Sequence, residues 1–426
     1  MNLPEVSVVV LNWNGREHLA ECLESLRQQS YTGRFEVVVM DNGSTDGSAK
    51  FVRAQFPDVK LIRSPENLGF AGGNNYAAAQ LTSPALAFLN NDTRTDAHWL
   101  EEMVRVLTQA PDIACAAGKI LSWDGKRIDF VAGGATLTGF GLQLGWGETA
   151  SEYDTERDIL VPCGGSMLIW RDRFDEVGRF DEDYFLFYED VDLGWRLWLA
   201  GYRVRSAPRS IVYHKHHGDI RRIDDQRKAV LYDRNPLYTI YKNYDDEHLA
   251  AILPAAILLT TEKATLMANP DRAAFALPAN GAPAAAAGDS PNRPAAADRL
   301  RRSLRDRGLA ATARRVPAAA WRRAGAMGSR LRRGIARRLS PDRNATAVPP
   351  AAISALLAVE QFGDHLPVLQ KKRAAVQALR RRTDAEILKL FGLPLEPLAP
   401  VDGFADYHRR VMRVLGLDRW VNGDRR

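Results

Sequence analysis

Residues 180–202, FDEDYFLFYEDVDLGWRLWLAGY, place five carboxylates between Asp181 and Asp190, interleaved with Tyr184, Phe185, Phe187 and Tyr188. From Val191 the apolar residues Val191, Trp195, Trp198 and Leu199 recur at three- and four-residue steps, and Gly201 supplies a stop. That spacing predicts a helix with Glu189 and Asp190 at its mouth. A carboxylate there, rigidly held and partly shielded by aromatics, has the fixed position and tunable pKa that a general base requires. Acids also favour the first turn of any helix for its dipole. The same helix carries Asp192 and Arg196, which at a four-residue spacing read as a surface pair, and Trp195 and Trp198, which read as core.

Other polar residues stand where a ligand could be held. Asp41 follows the apolar run FEVVVM and could accept from a base imide or a ribose hydroxyl, or simply open an Asp-Asn-Gly turn. The stretch Asn67-Leu68-Gly69-Phe70-Ala71-Gly72-Gly73-Asn74 sets glycines just before an expected helix, where backbone N–H groups can meet phosphate. It has neither the dinucleotide fingerprint nor the P-loop spacing. Asp92 ends Asn90-Asn91-Asp92 and could serve as one of the few carboxylates that a Mg²⁺ or Mn²⁺ bound with a nucleoside diphosphate needs, or as a helix cap. Three of the eight histidines crowd into 213–218, YHKHHG, without the partner spacing of a zinc site. Cys163-Gly164-Gly165-Ser166 reads as a tight entry into a strand, either as a plain turn or as a place where a sugar could approach the backbone.

The elements that must position these residues alternate. Buried-type strands are expected at Val6–Leu11, Phe35–Met40, Val59–Ile62 and Leu86–Leu89, with helices at His18–Leu26, Ser48–Gln55 and about Asn74–Leu81. Strand–helix alternation implies a mostly parallel sheet whose ligands sit beyond the carboxyl ends of its strands. Each polar motif follows a strand end.

The motifs SVVVLNWNG, VVVMDNGSTDGS, NLGFAGGNN, AFLNNDT, CGGSMLIWR, VGRFDEDYFLFYEDVDLGWRLWLAGYRV and IVYHKHHG, in that order over about residues 5–245, resemble the family 2 glycosyltransferases of GT-A fold, in particular their rhamnosyltransferase-like branch. The resemblance implies inverting, metal-assisted transfer from a nucleotide-activated sugar to an acceptor hydroxyl. It implies that Asn12, Trp13, Asn14 and Asp41 hold base and ribose, and that Asn67, Gly69, Gly72, Asn74 and Asn91 line the donor pocket. Asp92, with His214, would bind a divalent cation (Mg²⁺ or Mn²⁺), Glu189 and Asp190 would supply the base, and Gly164 and Gly165 would border the acceptor. Asn90 departs from the family's Asp-x-Asp pattern at its first acid. The Gln-x-x-Arg-Trp motif of processive synthases is absent. A degenerate sugar-nucleotide-binding scaffold and a sugar-1-phosphate nucleotidyltransferase are the alternative functions, the latter disfavoured because NWNG stands where a basic Gly-rich loop would be expected.

Residues 1–262 hold 27 Lys/Arg against 38 Asp/Glu and residues 263–426 hold 31 against 14, so an acidic body precedes a basic tail within a chain of net charge +6. The expected organisation is a catalytic domain over 1–262, an Ala/Pro/Arg-rich linker over 263–350 and a small helical unit over 351–426. Arg pairs with interleaved Leu and Trp in 298–340 suit an anionic membrane face better than nucleic acid. The apolar run Leu249–Thr261 contains Pro254 and reads as too short to span a bilayer. With three unspaced cysteines and no signal peptide, the expected location is cytoplasmic, peripheral to the inner face of the cell membrane, with a nucleotide sugar and a glycan or lipid-linked acceptor as partners.

Overall fold

The computed structural model describes residues 3–215, 223–270 and 348–422. The first half alternates: β1 (Val6–Asn12), α1 (Arg16–Arg27), β2 (Phe35–Asn42), α2 (Ser48–Gln55), β3 (Lys60–Ser64), α3 (Gly69–Ala78) and β4 (Ala85–Asn90). There follow β5 (Thr93–Thr95), α4 (Trp99–Leu107), β6 (Ile113–Ser122), β7 (Ile128–Phe130), the ribbon β8 (Ala132–Ala135) and β9 (Gly141–Leu144), β10 (Ser166–Trp170) and α5 (Arg171–Glu176). A 3₁₀ turn at Glu182–Tyr184 leads to α6 (Glu189–Leu199), β11 (Arg203–His214), α7 (Asp225–Asn243) and α8 (Asp246–Ala268). The C-terminal part is α9 (Pro350–Ala378), α10 (Asp384–Leu388), α11 (Phe404–Val414) and α12 (Arg419–Asn422).

The main sheet runs β3-β2-β1-β4-β10-β6-β11-β5, with β7 on β6. β1 pairs in parallel with β2 and β4, β2 with β3, and β6 with β11, while β10 is antiparallel between β4 and β6. The strand order reverses at β1, so a crevice opens outside the carboxyl ends of β1, β2 and β4. Both faces of the sheet are covered, which is why β1 reads as an unbroken apolar run. Val8 and Val10 pack with Leu19, Leu23, Trp99 and Met103 on one side. Val9, Val38 and Phe88 join α6, α7 and the C-terminal helices on the other.

Three expectations need correcting. Helix α3 starts at Gly69, not near Asn74, so Gly72, Gly73 and Asn74 are buried inside it. The apolar run around Pro254 belongs to one helix of 23 residues, the one helix among the described residues that is long and apolar enough to cross a membrane by length and composition. This helix runs through residue 262, and its Ile252, Ala255, Ala256 and Leu259 are buried in the core. The pair Asp192–Arg196 is not on the surface: both side chains are buried and 2.8 Å apart. Residues 349–426 cluster with 1–269 in one compact unit. Trp195 is fully buried, edge-on to Tyr244 just after α7 and to Phe391 beyond α10, a core role as its spacing implied.

Candidate active site

The crevice is a cleft of about 780 Å³. Its wall includes Trp13, Asn67, Gly69, Asn91, Asp92, Gly164, Gly165, Glu189, Asp190 and His214 among the positions singled out from sequence. Asn12, Asn14, Asp41, Gly72 and Asn74 do not line it. Asn12 is buried behind it and accepts from Asn91 Nδ2 at 2.8 Å, which aims the Asn91 amide. Gly15 makes that contact possible, because a Cβ there would stand 2.1 Å from Asn91 Nδ2. Asn14, at φ 55°, accepts from Thr45 N at 2.7 Å and fastens the loop after β1 to the loop after β2.

Asp41 is fully buried and paired with Arg63 at 2.8 Å. The neighbour that reaches the cleft is Asn42, which sequence reasoning passed over. Asn42 donates to Asn67 Oδ1 (3.0 Å) and to the Gly69 carbonyl (2.9 Å), and accepts from Leu68 N (2.9 Å). The first amides of α3 are already engaged: Gly69 N donates to Asn67 Oδ1 and Phe70 N to the Phe185 carbonyl at 2.6 Å. These two amides are therefore not the free phosphate donors that the Gly-rich stretch suggested. Gly69 (φ +74°) is needed for closeness, since a Cβ would lie 2.4 Å from the Phe185 carbonyl oxygen.

At the end of β4, Asp92 Oδ1 lies 3.2 Å from His214 Nε2, and His214 Nδ1 lies 2.6 Å from Asp129 Oδ2 on β7. Burial alone would lower the imidazole pKa, but hydrogen bonds to Asp129 and Asp92 and their charge raise it to about 10. Asp129 is the member of this row that no motif announced. Its strand of three residues brings it beside His214 only through pairing with β6.

On the facing wall, Asp190 Oδ2 accepts from Gly164 N at 3.3 Å and Oδ1 from Val191 N at 2.8 Å. Burial raises its pKa to about 6, the backbone donors acting in the opposite sense. Glu189 is more deeply buried, its Oε2 has no hydrogen-bond partner, and burial together with the Asp190 charge pushes its pKa well up. The pair therefore divides, with Glu189 protonated and Asp190 able to ionise near neutrality.

The segment before this pair is strained: Phe185, Phe187 and Tyr188 have φ of 60°, 68° and 69°, a region that bulky residues seldom enter. One side chain over-determines it. Asn235 of α7, fully buried, donates from Nδ2 to the carbonyls of Tyr184 (3.1 Å), Leu186 (2.9 Å) and Phe187 (2.8 Å). Below it, Lys242 Nζ sits 2.5 Å from Asp181 and 2.9 Å from Asp192, while Lys372 of α9 reaches Asp181 and Asp183 at 2.5 Å. Asp192 and Arg196 thus belong to a buried network under the wall that carries Asp190. Neither Asn235 nor Lys372 follows any local pattern that could have flagged it.

Residues 7–177 match the family model described as Glycosyl transferase family 2. The chain is similar to N-acetylglucosaminyl-diphospho-decaprenol L-rhamnosyltransferase of Mycobacterium tuberculosis, with 28% identity over 49% of this chain and 76% of that protein. It is also similar to the O-antigen biosynthesis protein RfbC of Myxococcus xanthus, with 29% identity over 52% of this chain, and spans only 18% of RfbC's length. Among solved structures, GalNAc-T7 with UDP, GalNAc and Mn²⁺ aligns over 60% of this chain and 51% of that one, at 17% identity and a TM-score of 0.49.

Proposed function

We propose that this family 2 glycosyltransferase of GT-A architecture moves a sugar, with inversion, from a UDP- or dTDP-linked donor to an acceptor hydroxyl of a bacterial surface glycan or lipid-linked oligosaccharide. The observation that carries it is the sharing of one cleft by a carboxylate poised near neutrality, Asp190, and by the Asp92–His214 pair. Asp190, held by the Gly164 and Val191 amides, takes the proton of the acceptor hydroxyl as that oxygen bonds to the anomeric carbon and the bond to the leaving diphosphate breaks. Glu189 keeps its proton and leaves Asp190 the only charge of the pair. Asn67 and Trp13 are the cleft residues that would orient the nucleotide, with Asn42 holding Asn67 in position.

Asp92 Oδ1 and His214 Nε2 converge, and Asp129 on Nδ1 fixes the ring with Nε2 facing Asp92, an outer carboxylate of the kind that orients a ligating imidazole. These residues would fit a Mg²⁺ or Mn²⁺ that takes the place of the Nε2 proton now shared with Asp92, with Asn90 contributing a neutral side chain where an acid is common. Such a cation would neutralise charge growing on the departing diphosphate. The basic stretch 298–340 lies outside the described residues. Its Arg pairs support attachment to the anionic inner face of the cell membrane.

The test is calorimetric titration of UDP, dTDP and GDP, with and without Mn²⁺, on the wild type and on Asp92→Ala. Metal-dependent binding of one nucleotide, lost in the variant, is expected. A folded protein that binds none of them would overturn the proposal in favour of a scaffold.

A further inference from the structure

One aromatic side chain on the cleft wall belongs to no motif and has no part in the chemistry above: Trp146. It stands just beyond β9, is 64% exposed, and follows by three residues Gln143, also exposed and on the same wall. The turn that carries it is fixed. Glu148 N donates to the Gly145 carbonyl at 3.1 Å, Gly147 N to the Ile128 carbonyl at 2.8 Å, and Ile128 N to the Glu148 carbonyl at 2.9 Å. The backbone is therefore held while the indole faces the open cleft.

Its neighbours put it beside the proposed base and away from the nucleotide end. Ile128 directly precedes Asp129, the carboxylate behind His214. At its other end β9 abuts the residues on either side of the Glu189–Asp190 pair: a Cβ on Gly141 would lie 2.8 Å from Val191 Cγ2 and 3.6 Å from the Tyr188 ring. Strand β7, to which the turn is tied, joins the sheet through β6, with β10 and β4 between it and β1. Trp13 and Asn67 follow β1 and β3, on that far side. A ring lying between Trp146 and Asp190 therefore belongs to the acceptor.

The chemistry of an exposed indole selects the kind of ring. Its face is negative and apolar. A pyranose chair whose hydroxyls are all equatorial offers it a face of axial C–H bonds, apolar and weakly positive, and an axial hydroxyl interrupts that face. The hydroxyls of such a ring radiate from its edge, where a Gln amide can both donate and accept. We propose that Trp146 is a specificity-determining residue that stacks on the terminal pyranose of the acceptor, a ring with equatorial hydroxyls, while Gln143 reads one hydroxyl and another faces Asp190. The assignment rests on the transferase function proposed above and adds to it the configuration of the accepted sugar. Binding energy gained away from the reacting atoms in this way positions the attacking hydroxyl.

The experiment is saturation-transfer NMR titration of the full chain with two probes. Methyl β-D-glucopyranoside carries only axial hydrogens on both faces, whereas methyl α-D-mannopyranoside has an axial substituent on each. The wild type should bind the glucoside about tenfold more tightly than the mannoside, and Trp146→Ala should lose about tenfold in glucoside affinity. Trp146→Phe, which keeps an aromatic face, should recover most of that loss. Circular dichroism melting identifies a variant that fails to fold, and calorimetry should show nucleotide affinity unchanged in both. No glucoside binding by the wild type, equal binding of the two glycosides, or undiminished glucoside binding in folded Trp146→Ala would overturn the assignment. So would a loss of nucleotide affinity in that variant, which would put the indole against the donor. Glucoside binding that depends on Trp146 in a protein that binds no nucleotide would leave the sugar platform standing and remove the transferase function instead.

Discussion

Two adjacent carboxylates part company because their surroundings differ. Asp190 borders the cleft and has two backbone donors, whereas Glu189 is enclosed with an oxygen that has none. A base must be ionised, so kcat/KM should rise with pH through about 6 and then level off. Asp190→Asn should lower turnover by about 10²–10⁴-fold and leave nucleotide affinity intact, and it should also raise the melting temperature at pH 8. The sign follows from linkage. A carboxyl whose folded pKa is raised from 3.8 to about 6 binds its proton better in the folded state, so its contribution to stability falls as pH rises across that interval. The amide has no proton to lose, and its advantage should vanish below about pH 4, near the ordinary aspartate pKa. A melting profile in which the variant is less stable at pH 8 than the wild type would contradict the desolvated setting of Asp190. Asp190 and Asp92 were legible in the sequence because each follows an element boundary that local pattern reveals. Asp129 was not, since 37 residues separate it from Asp92 and only sheet pairing unites them.

At the scale of elements, the proposed base Asp190 follows a segment that could not hold its shape alone. Three residues of 185–188 have positive φ, each conformation costing on the order of 1–3 kcal/mol, and Asn235 offsets this by sharing its two Nδ2 hydrogens among three carbonyls. Asn235→Leu keeps the volume and removes the donors. It should destabilise the fold by about 1–3 kcal/mol for the carbonyls left unsatisfied. It should also lower kcat more than it raises the donor KM, because Trp13 and Asn67, the residues proposed to orient the nucleotide, stand on other elements. A fall in stability with kcat unchanged would make Asn235 structural only. The first four strands and helices α1, α2 and α6 were readable from periodicity, yet the start of α3 was misplaced by five residues. Glycines normally end helices, but here Gly72 and Gly73 sit inside one, because Leu11 and Asn42 leave no room for side chains at Gly73. The reading of Asp192–Arg196 as exposed failed for a similar reason. A four-residue spacing shows that two side chains can meet and says nothing of what covers them, which here is Lys242 and Asn243 of α7.

At the scale of the molecule, the C-terminal helices belong to the same compact unit as residues 1–269. Lys372 supplies charge to Asp181 and Asp183 beneath the strained segment, and Arg373 donates to the carbonyls of Tyr241 and Tyr244 at 2.6 Å. Phe391 closes over Trp195, and the Phe391 and Pro394 carbonyls accept from Ala135 and Leu137 at the ribbon. A chain ending at residue 269 would bare this apolar face and leave Lys242 alone between Asp181 and Asp192. Uncovering that apolar surface and removing one cation from the network both weaken a fold of the kind that about 5–15 kcal/mol typically holds together. The expected outcome is that the chain of residues 1–426 unfolds in urea with the secondary structure of the sheet and of the C-terminal helices lost in one transition. Residues 1–269 alone should show no cooperative transition and should bind a hydrophobic dye. If the truncated chain instead unfolded at the same midpoint as the full one, residues 349–426 would be an appendage. The lysine at 372 would then have to be explained without any role beneath Asp190.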